Sequence, residues 1–325
     1  MRAIVFEEFG GPEVLKAVDL PAPEPGPGEV TIDVAYAGVN FADTKARSEG
    51  YRVKSLPFHP GLEVSGTVRH VGDGVTDFVP GQEVAALIPS GGYAEVVRAS
   101  AVIVFPLPPG IDLRTGASLP GVLPTAYALL HEVARLREGD TVLVQGAAGG
   151  VGTVAGQLAR AGGASAVYGV VSSLDKAEHA LKSGYDQVFT ADTFEDDIRA
   201  ATGGRGVDIA LDAVGGETFQ RTLGIVGRFG RLVSFGNSSG EEPWAIGPAT
   251  VYPKAQSVSG FSILGLADAD PQRLREIVDR AFHMVTEGGL ELPVSAEFAL
   301  ADAAEAHRLM ESRTSIGKLL LRVTK

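Results

Sequence analysis

The sequence predicts an α/β protein of two domains: a parallel sheet covered by helices on both faces, and a barrel-like lobe of antiparallel strands. Three observations predict this class. The chain has 325 residues, 45% of them hydrophobic, whereas a single core stops growing at roughly 250 to 300 residues. Up to about Pro120, short β-rich runs alternate with glycine and proline. After Leu119, apolar runs are separated by helix-length segments, as in a covered parallel sheet.

The antiparallel lobe is predicted over residues 1–122 and is expected to be completed by the tail, residues 262–325. Within it, residues 21–30 contain four prolines, which cannot donate to a β-ladder, so they predict a stiff loop between strands more than a linker between domains. The clearest predicted strands are AIVF, EVTIDVAYAGVN, EVSGTVRHVG, QEVAALI and GGYAEVVRA.

The parallel-sheet domain is predicted over residues 123–261. Its strands are the apolar runs at residues 141–145, 166–171, 207–214, 231–236 and 257–261. The tail then predicts helices over 271–285 and 302–312, a strand over 292–298 and a last strand, GKLLLRV.

The composition argues against several classes of binding partner. The net charge of -12, from 40 acidic and 28 basic residues, opposes binding to nucleic acid or anionic lipid. The N-terminus has no charged-then-apolar leader, and no apolar stretch reaches the ~20 residues of a membrane span, so a cytoplasmic protein is expected. Cysteine is absent and the six histidines lack metal-ligand spacing, so we expect no metal and an organic cofactor.

The strand TVLVQ runs directly into GAAGGVG and a helical stretch, the order that a dinucleotide site requires. In this fingerprint Ala147 takes the place of the usual first glycine. Gly149 lets the backbone approach a pyrophosphate, and Gly152 lets helix and strand pack closely. The pattern predicts a Rossmann-type domain; a plain tight turn in a non-binding sheet is the alternative.

The end of the next strand predicts the choice of dinucleotide. An acidic side chain there would bind both ribose hydroxyls and repel a 2'-phosphate. This chain has Ser172, Ser173 and Lys176 instead, which favour NADPH. The alternative is that Asp175 binds the ribose of NADH and that Lys176 is a solvated helix residue.

Motifs along the whole chain together resemble the medium-chain dehydrogenase/reductase superfamily, in its zinc-independent quinone oxidoreductase and enoyl reductase branch. The resemblance implies a GroES-like catalytic domain beside the Rossmann domain. It rests on AGVNFAD (37–43), HPGLEVSG (59–66), LPGVLPTAY (119–127), QGAAGGVG (145–152), LDAVGG (211–216), VSFGNSSG (233–240) and IGKLLL (316–321).

In the zinc alcohol dehydrogenases of this superfamily, the metal ligands fall at positions that hold Asn40, Leu62 and Gly121 here. None of these can replace a cysteine or histidine ligand. The resemblance therefore implies hydride transfer without a metal, to an electron-poor alkene or quinone.

The resemblance also implies the cofactor contacts. Asn40 and Thr125 would border the nicotinamide, although each is also suited to capping a turn or a helix. Lys318 would return from the tail to the same region, or be a surface charge. The remaining implied contacts are Gly149, Gly150, Val151 and Gly152 for the pyrophosphate, Ser172, Ser173 and Lys176 for the adenosine phosphate, and Phe235 (alternatively a core residue), Gly236, Asn237, Phe261, Ser262 and Ile263 for the nicotinamide half.

Hydride addition to an enone places charge on the carbonyl oxygen and then requires a proton. Tyr51 is the candidate proton donor, because similar reductases place a tyrosine after AGVNFxD; an aromatic lid is the alternative. Asn40 is the second catalytic candidate. Lys45 is a weaker one, Arg47 and Arg52 are suited to an anionic substrate or are surface charges, and Asp43 and Glu63 are expected to be structural acceptors.

The function expected from these features is NADPH-dependent reduction of a quinone or an α,β-unsaturated carbonyl compound. Two alternatives stay open: an enoyl-thioester reductase acting on coenzyme A or carrier-protein substrates, and an NADPH-binding protein with little turnover. The strand SVSGF is expected at a sheet edge, and relatives pair this edge across a two-fold axis, so a homodimer is predicted.

Overall fold

The computed structural model describes residues 1–241 and 245–323. The chain divides into two compact units. Unit 1 comprises Met1–Pro124, Leu266–Glu287 and Leu292–Lys325, and unit 2 comprises Thr125–Gly265 and Gly288–Glu291. In the described part of the chain, no helix has the length and apolar character needed to cross a membrane.

The strands are short and mostly buried. In chain order they are β1 Arg2–Val5, β2 Lys16–Asp19, β3 Glu29–Val39, β4 Glu63–Val71, β5 Glu83–Leu87, β6 Val96–Ser100, β7 Val104–Pro106, β8 Thr141–Gln145, β9 Ala166–Val171, β10 Gln187–Thr190, β11 Val207–Asp212, β12 Val226–Ser234, β13 Ser257–Gly260, β14 Val294–Ala299 and β15 Lys318–Arg322.

The α-helices lie mainly between the later strands, and a π-helix, Ala128–Val133, continues the third of them. They are α1 Phe41–Glu49, α2 Leu113–Gly116, α3 Val122–Tyr127, α4 Gly150–Ala161, α5 Ala177–Lys182, α6 Phe194–Ala201, α7 Gly216–Gly224, α8 Pro248–Val251, α9 Ile263–Ala269, α10 Pro271–Gly288 and α11 Ala303–Glu311.

Unit 2 contains a six-stranded sheet in the order β10-β9-β8-β11-β12-β13, and every pairing in it is parallel. This is the doubly wound order of dinucleotide-binding domains, which confirms the predicted α/β class. All five residues of β8 are buried, as expected for a central parallel strand. Leu143, Phe194, Phe219 and Leu232 belong to the apolar core that packs against this sheet.

One strand of this sheet was not predicted from the sequence. The strand β10, QVFT, lies at the edge of the sheet beside β9, and none of its residues is fully buried. An edge strand is covered less than a central one, so it does not need the continuous apolar run by which the other five strands were predicted.

Unit 1 contains a seven-stranded sheet with the path β14-β15-β3-β4-β5-β7, in which β6 also pairs with β3. The long strand β3 pairs antiparallel with β4, β6 and β15. The pair β14 and β15 is parallel, however, so the sheet is mixed and not wholly antiparallel as the sequence predicted. The helix α11 lies between these two strands in the chain, and a connection of that kind permits a parallel return.

Candidate functional site

The loops after β8, β9, β11, β12 and β13 all leave the carboxyl edge of the parallel sheet in unit 2. In open sheets of this kind, ligands bind at that edge, where the strand order reverses. The order reverses between β8 and β11, because β8, β9 and β10 follow one another in one direction and β11, β12 and β13 in the other. The sequence-predicted cofactor residues of unit 2, other than Thr125, therefore lie in loops or helix starts at one edge.

The turn after β8 is built by glycine backbone. Gly146 has a positive φ of 71°, and the Gly149 N–H donates to the Gly146 carbonyl over 2.9 Å. A Cβ at Gly146 would meet nothing within 4 Å. Gly149 is the N-cap of α4, and no side chain caps this 12-residue helix. The first N–H groups of α4 and its positive dipole end therefore suit a phosphate.

Close packing behind the turn explains Gly152. A Cβ at this position would lie 2.3 Å from the Gly146 carbonyl oxygen. The Tyr185 hydroxyl also donates to the Gly152 carbonyl over 2.6 Å. These contacts fix α4 against the turn at a distance that only glycine allows.

Ala147 takes the place of the first glycine of the fingerprint, and the left-handed residue of the turn is Gly146, one position earlier. Ala147 is fully buried, and its N–H donates to the Val170 carbonyl over 3.0 Å. An alanine is tolerated at this position because its φ is not positive.

The turn after β9 carries the residues predicted to choose the dinucleotide. Ser173 caps the following turn of helix, where its hydroxyl accepts the Asp175 N–H over 3.4 Å and donates to the Asp175 carboxylate over 3.2 Å. Ser172 and Asp175 are exposed. Lys176 is half-buried, and burial lowers the pKa of its ammonium.

The loops after β11 and β12 run side by side. The Asp212 carboxylate accepts the N–H groups of Gly215 over 2.9 Å and Val214 over 3.3 Å. Burial raises the pKa of Asp212 to about 6, and these N–H groups act in the opposite direction. Asp212 was missed by the sequence reading, although an acidic residue at the end of an apolar strand was a usable signal.

The predicted residues of the β12 and β13 loops stand at the same edge. Phe235 is half-buried and not part of the core, and its N–H donates to the Asp212 carbonyl over 2.8 Å. The exposed Asn237 donates to the Glu241 carbonyl over 2.9 Å. After β13, Phe261 donates to the Ser234 carbonyl, and the exposed Ser262 begins the turn that leads into Ile263. Gly236 is exposed, and Thr125 on α3 is buried.

Unit 1 contains a buried polar cluster, which we call the Glu63 cluster: Asn40, Glu63, Gly121 and Lys318. Glu63 is fully buried and Lys318 is 4% exposed. Glu63 Oε1 accepts a hydrogen from Lys318 Nζ and another from Asn40 Nδ2, the latter over 2.8 Å. Glu63 Oε2 accepts the Gly121 N–H over 2.7 Å. Lys318 Nζ also donates to Asn40 Oδ1 over 2.7 Å. Lys318 is thus not a surface charge.

Two glycines make room for this carboxylate. A Cβ at Gly38 would lie 2.5 Å from Glu63 Oε1, and one at Gly121 would lie 2.7 Å from Glu63 Oε2. The cluster includes two of the three positions at which related dehydrogenases hold zinc. An amide already bound to Glu63 and Lys318, a leucine and a glycine do not fit zinc as a ligand set. Among residues 1–241 and 245–323, no group of three acidic or histidine side chains is arranged to hold a metal.

Asp43 lies beside the cluster and is also buried. Its carboxylate accepts the N–H groups of Asn40 over 2.9 Å and Gly61 over 3.1 Å, so it caps the N-terminus of α1 and ties α1 to the loop before β4. Burial raises the pKa of Asp43 from 3.8 to about 7, whereas these hydrogen bonds and the charge of Lys318 lower it. The predicted role of structural acceptor agrees with these contacts.

Arg47 is the clearest error of the sequence reading in this region. It is 1% exposed and forms an ion pair with Glu311, which joins α1 to α11, so it is neither a surface charge nor accessible to a substrate. A second buried pair lies close enough to feel the charge of Arg47: the Tyr93 hydroxyl lies 3.2 Å from His307 Nε2. Burial and the charge of Arg47 lower the pKa of His307 to about 3.

The other candidates of the α1 region are more exposed. Tyr51 is 45% exposed, in the turn that follows α1. Lys45 forms an ion pair with Glu49 one turn later, and Arg52 forms one with Asp268. The Lys45 and Arg52 charges are thus each paired with a carboxylate, whereas Tyr51 offers an exposed hydroxyl.

Comparison with known proteins extends these observations. Residues 26–109 match the family model described as the alcohol dehydrogenase GroES-like domain, and residues 150–282 match that of the zinc-binding dehydrogenases. A quinone oxidoreductase of Rattus norvegicus is 35% identical over 327 residues, which cover 99% of this chain and 97% of the relative.

A structure of Escherichia coli quinone oxidoreductase complexed with NADPH aligns with a TM-score of 0.93 and 32% identity, covering 99% of this chain and all of that one. The phthioceranic/hydroxyphthioceranic acid synthase of Mycobacterium bovis is 33% identical over 306 residues, which are 92% of this chain and 14% of the synthase.

The raised pKa of Asp43 predicts a pH-dependent stability. The folded protein retains this proton at pH values where the unfolded chain has lost it. The contribution of Asp43 to the free energy of unfolding therefore falls as the pH rises from about 4 to about 7, by up to about 1.4 kcal/mol per unit, and the decline ends above pH 7.

The variant Asp43→Asn keeps the shape of the side chain and removes the titration. We expect the free energy of unfolding of the wild type, relative to that of the variant, to decrease between about pH 4.5 and about pH 7.5 in urea titrations. The contribution of Asp212 is common to both proteins and cancels. A difference that does not change with pH would contradict the prediction.

Proposed function

Because the chain belongs to the quinone oxidoreductase branch of the medium-chain dehydrogenase/reductase superfamily, we propose that it transfers hydride from NADPH to a quinone or an α,β-unsaturated carbonyl compound. It is an NADPH-dependent oxidoreductase of this superfamily. One observation carries the proposal: the N-terminus of α4 has no side-chain cap and lies at the carboxyl edge of the sheet. The turn that precedes it begins at Gly146 and ends at Gly149, where no side chain covers the backbone.

For the cofactor, we propose three groups of contacts on unit 2. The backbone of residues 149–152 would bind the pyrophosphate, and Ser172, Ser173 and Lys176 would bind the 2'-phosphate. The loops that contain Phe235, Gly236, Asn237, Phe261, Ser262 and Ile263 would line the nicotinamide half, with Thr125 from α3.

For the acceptor, we propose a site on unit 1. Bound NADPH supplies a hydride. The residues of this chain must then stabilise the charge that appears on the acceptor oxygen and deliver a proton. Asn40, whose amide is held by Glu63 and Lys318, would orient the reacting groups, and Tyr51, exposed in the turn after α1, would deliver the proton.

A second candidate function is the reduction of an enoyl thioester. It is supported by the match between 92% of this chain and part of the phthioceranic/hydroxyphthioceranic acid synthase. The third candidate function is an NADPH-binding protein with little turnover. It predicts that NADPH binds but is not oxidised.

The first experiment is an NADPH oxidation assay with 9,10-phenanthrenequinone, 1,4-benzoquinone, a simple enone and crotonyl-CoA. We expect turnover with a quinone or the enone, and a lower KM for NADPH than for NADH. Lys176→Ala should raise the KM for NADPH about tenfold, or about 1.4 kcal/mol, and change that for NADH little.

The matched control is Lys182→Ala, a lysine on the neighbouring helix that pairs with Glu178. It should change neither KM. Turnover of crotonyl-CoA alone would favour the thioester reductase, and binding of NADPH without turnover would favour the third reading. A clear preference for NADH would contradict the assigned role of Lys176.

Tyr51→Phe tests the proton donor. Since general acids contribute about 10² to 10⁴ in rate, we expect kcat with the enone to fall at least about 100-fold and the KM for NADPH to stay the same. Tyr252→Phe, which removes the hydroxyl of an exposed tyrosine in unit 2, is the control. If kcat changes less than about threefold, Tyr51 only shapes the entrance.

We also propose a homodimer. Within the described residues, β13 pairs with β12 on one side and with no strand on the other, and an open edge of this kind favours pairing with a second copy. Light scattering should give a mass near twice 33.7 kDa. A mass equal to that of one chain would contradict the proposal.

A further inference from the structure

The Glu63 cluster contains two nitrogen donors that converge on one oxygen atom. Lys318 Nζ and Asn40 Nδ2 both donate to Glu63 Oε1. Lys318 Nζ uses a second hydrogen for Asn40 Oδ1. An ammonium has three hydrogens and a carboxamide nitrogen has two. One hydrogen on each nitrogen is therefore left outside these contacts, and the two nitrogens are adjacent.

The position of the charge is difficult to explain by stability alone. Lys318 is the first residue of β15, and the next three residues, Leu319, Leu320 and Leu321, are fully buried. Burying an ion pair is unfavourable to each ion, and an apolar pair of similar size commonly serves stability as well or better. A buried cation kept beside a candidate substrate site therefore favours a chemical role.

The surroundings hold this cation in one place. Glu63 Oε2 accepts the Gly121 N–H, and Gly38 and Gly121 lie so close to the carboxylate that a side chain at either position would displace it. Asn40, at the N-terminus of α1, and Gly121 are half-buried, so two members of the cluster are partly exposed. A fixed donor pair of this kind needs no reorganisation when charge develops next to it.

We propose that Lys318 is a catalytic residue of the reduction, and that its ammonium and the Asn40 amide together stabilise the oxyanion of the acceptor. This inference rests on the proposed function. It assigns Lys318 a contact with the acceptor oxygen in place of the cofactor contact that the family resemblance implies.

The step balances as follows. The hydride, with its electron pair, forms a C–H bond at the β-carbon of the enone, and the π electrons move to the carbonyl oxygen. NADPH becomes NADP⁺, and the resulting enolate oxygen accepts hydrogen bonds from Lys318 and Asn40. The α-carbon then takes its proton from the proposed donor Tyr51, which regains one from water. Lys318 stays protonated, held by Glu63.

The proposed role of Lys318 predicts different effects on enone reduction and on quinone reduction. A simple enolate oxygen is more basic than the oxygen of a reduced quinone, so its formation depends more on the donor pair. Loss of the ammonium should therefore slow enone reduction more than quinone reduction. A residue that only stabilises the fold, or only binds the cofactor, would slow both to the same extent.

The test compares the wild type with the double variant Lys318→Met/Glu63→Gln. Removing both charges together leaves no unpaired buried ion, and a glutamine oxygen can still accept from Asn40 Nδ2. Lys16→Met, a lysine on the exposed strand β2, is the matched control. For each protein, three quantities are measured: the midpoint of thermal unfolding, the Kd for NADPH by fluorescence, and the single-turnover rates at saturating NADPH. The rates are measured with the enone and with phenanthrenequinone.

We expect the double variant to remain folded and to bind NADPH within about threefold of the wild type. Its rate with the enone should fall about 100-fold or more, the usual effect of removing an oxyanion donor, and its rate with the quinone should fall at least about tenfold less. Lys16→Met should match the wild type.

Rates within about threefold of the wild type would overturn the proposal, as would equal losses with both acceptors. Should the double variant not fold, Asn40→Ala, which removes the second donor and leaves the Lys318–Glu63 ion pair intact, is assayed in its place against the same criteria. Failure of the proposed function has a different signature, because it would appear in the wild type, as NADPH binding without oxidation by any acceptor, and the role of Lys318 would fall with it.

Discussion

Glu63 carries a buried negative charge at the start of β4, and three other segments of unit 1 meet at its two oxygens. Asn40 comes from the start of α1, Gly121 from the segment before α3, and Lys318 from the start of β15. A carboxylate without water must have its oxygens bonded and its charge balanced. This requirement fixes the C-terminal strand, the first helix and a glycine loop relative to one another.

Asp43 and Arg47 extend the same constraint along α1. Asp43 binds the loop at Gly61, and Arg47 binds Glu311 on α11. Both side chains are buried, so α1 is held at its start and near its end by polar contacts that exclude water. Tyr51 follows directly after this helix, and its position therefore depends on buried groups that never touch a substrate.

The proposed pyrophosphate site in unit 2 depends on the backbone instead of on side chains. A pyrophosphate needs N–H groups that no side chain covers, and the turn after β8 leaves those at the start of α4 uncapped. Gly146 supplies the left-handed residue of the turn, and Gly152 packs closely against the carbonyl of Gly146. The proposed pyrophosphate site in unit 2 therefore uses the positive end of a helix, whereas in unit 1 opposite charges neutralise each other inside the fold.

Local patterns were sufficient for much of the fold. The apolar runs predicted five of the six parallel strands, and the glycine motif after β8 predicted the turn and the helix α4 that follow it. The exposed edge strand β10 was missed because partial burial removes the apolar run. The left-handed conformation of Gly146 could not be predicted because a residue type alone does not determine the backbone angles. Arg47 was misread because burial of an arginine depends on partners such as Glu311, 264 residues away.

The sequence by itself determined the fold class, the dinucleotide-binding unit and the lack of a cysteine or histidine ligand set for zinc, because each of these depends on residues that are close in the chain or on residue types that are absent. Only the tertiary structure decided that Lys318 is an interior cation bound to Glu63, 255 residues away in the chain. A hydrogen bond across that separation leaves no local pattern, since its partners meet only when β15 pairs with β3 and brings the end of the chain to the start of α1.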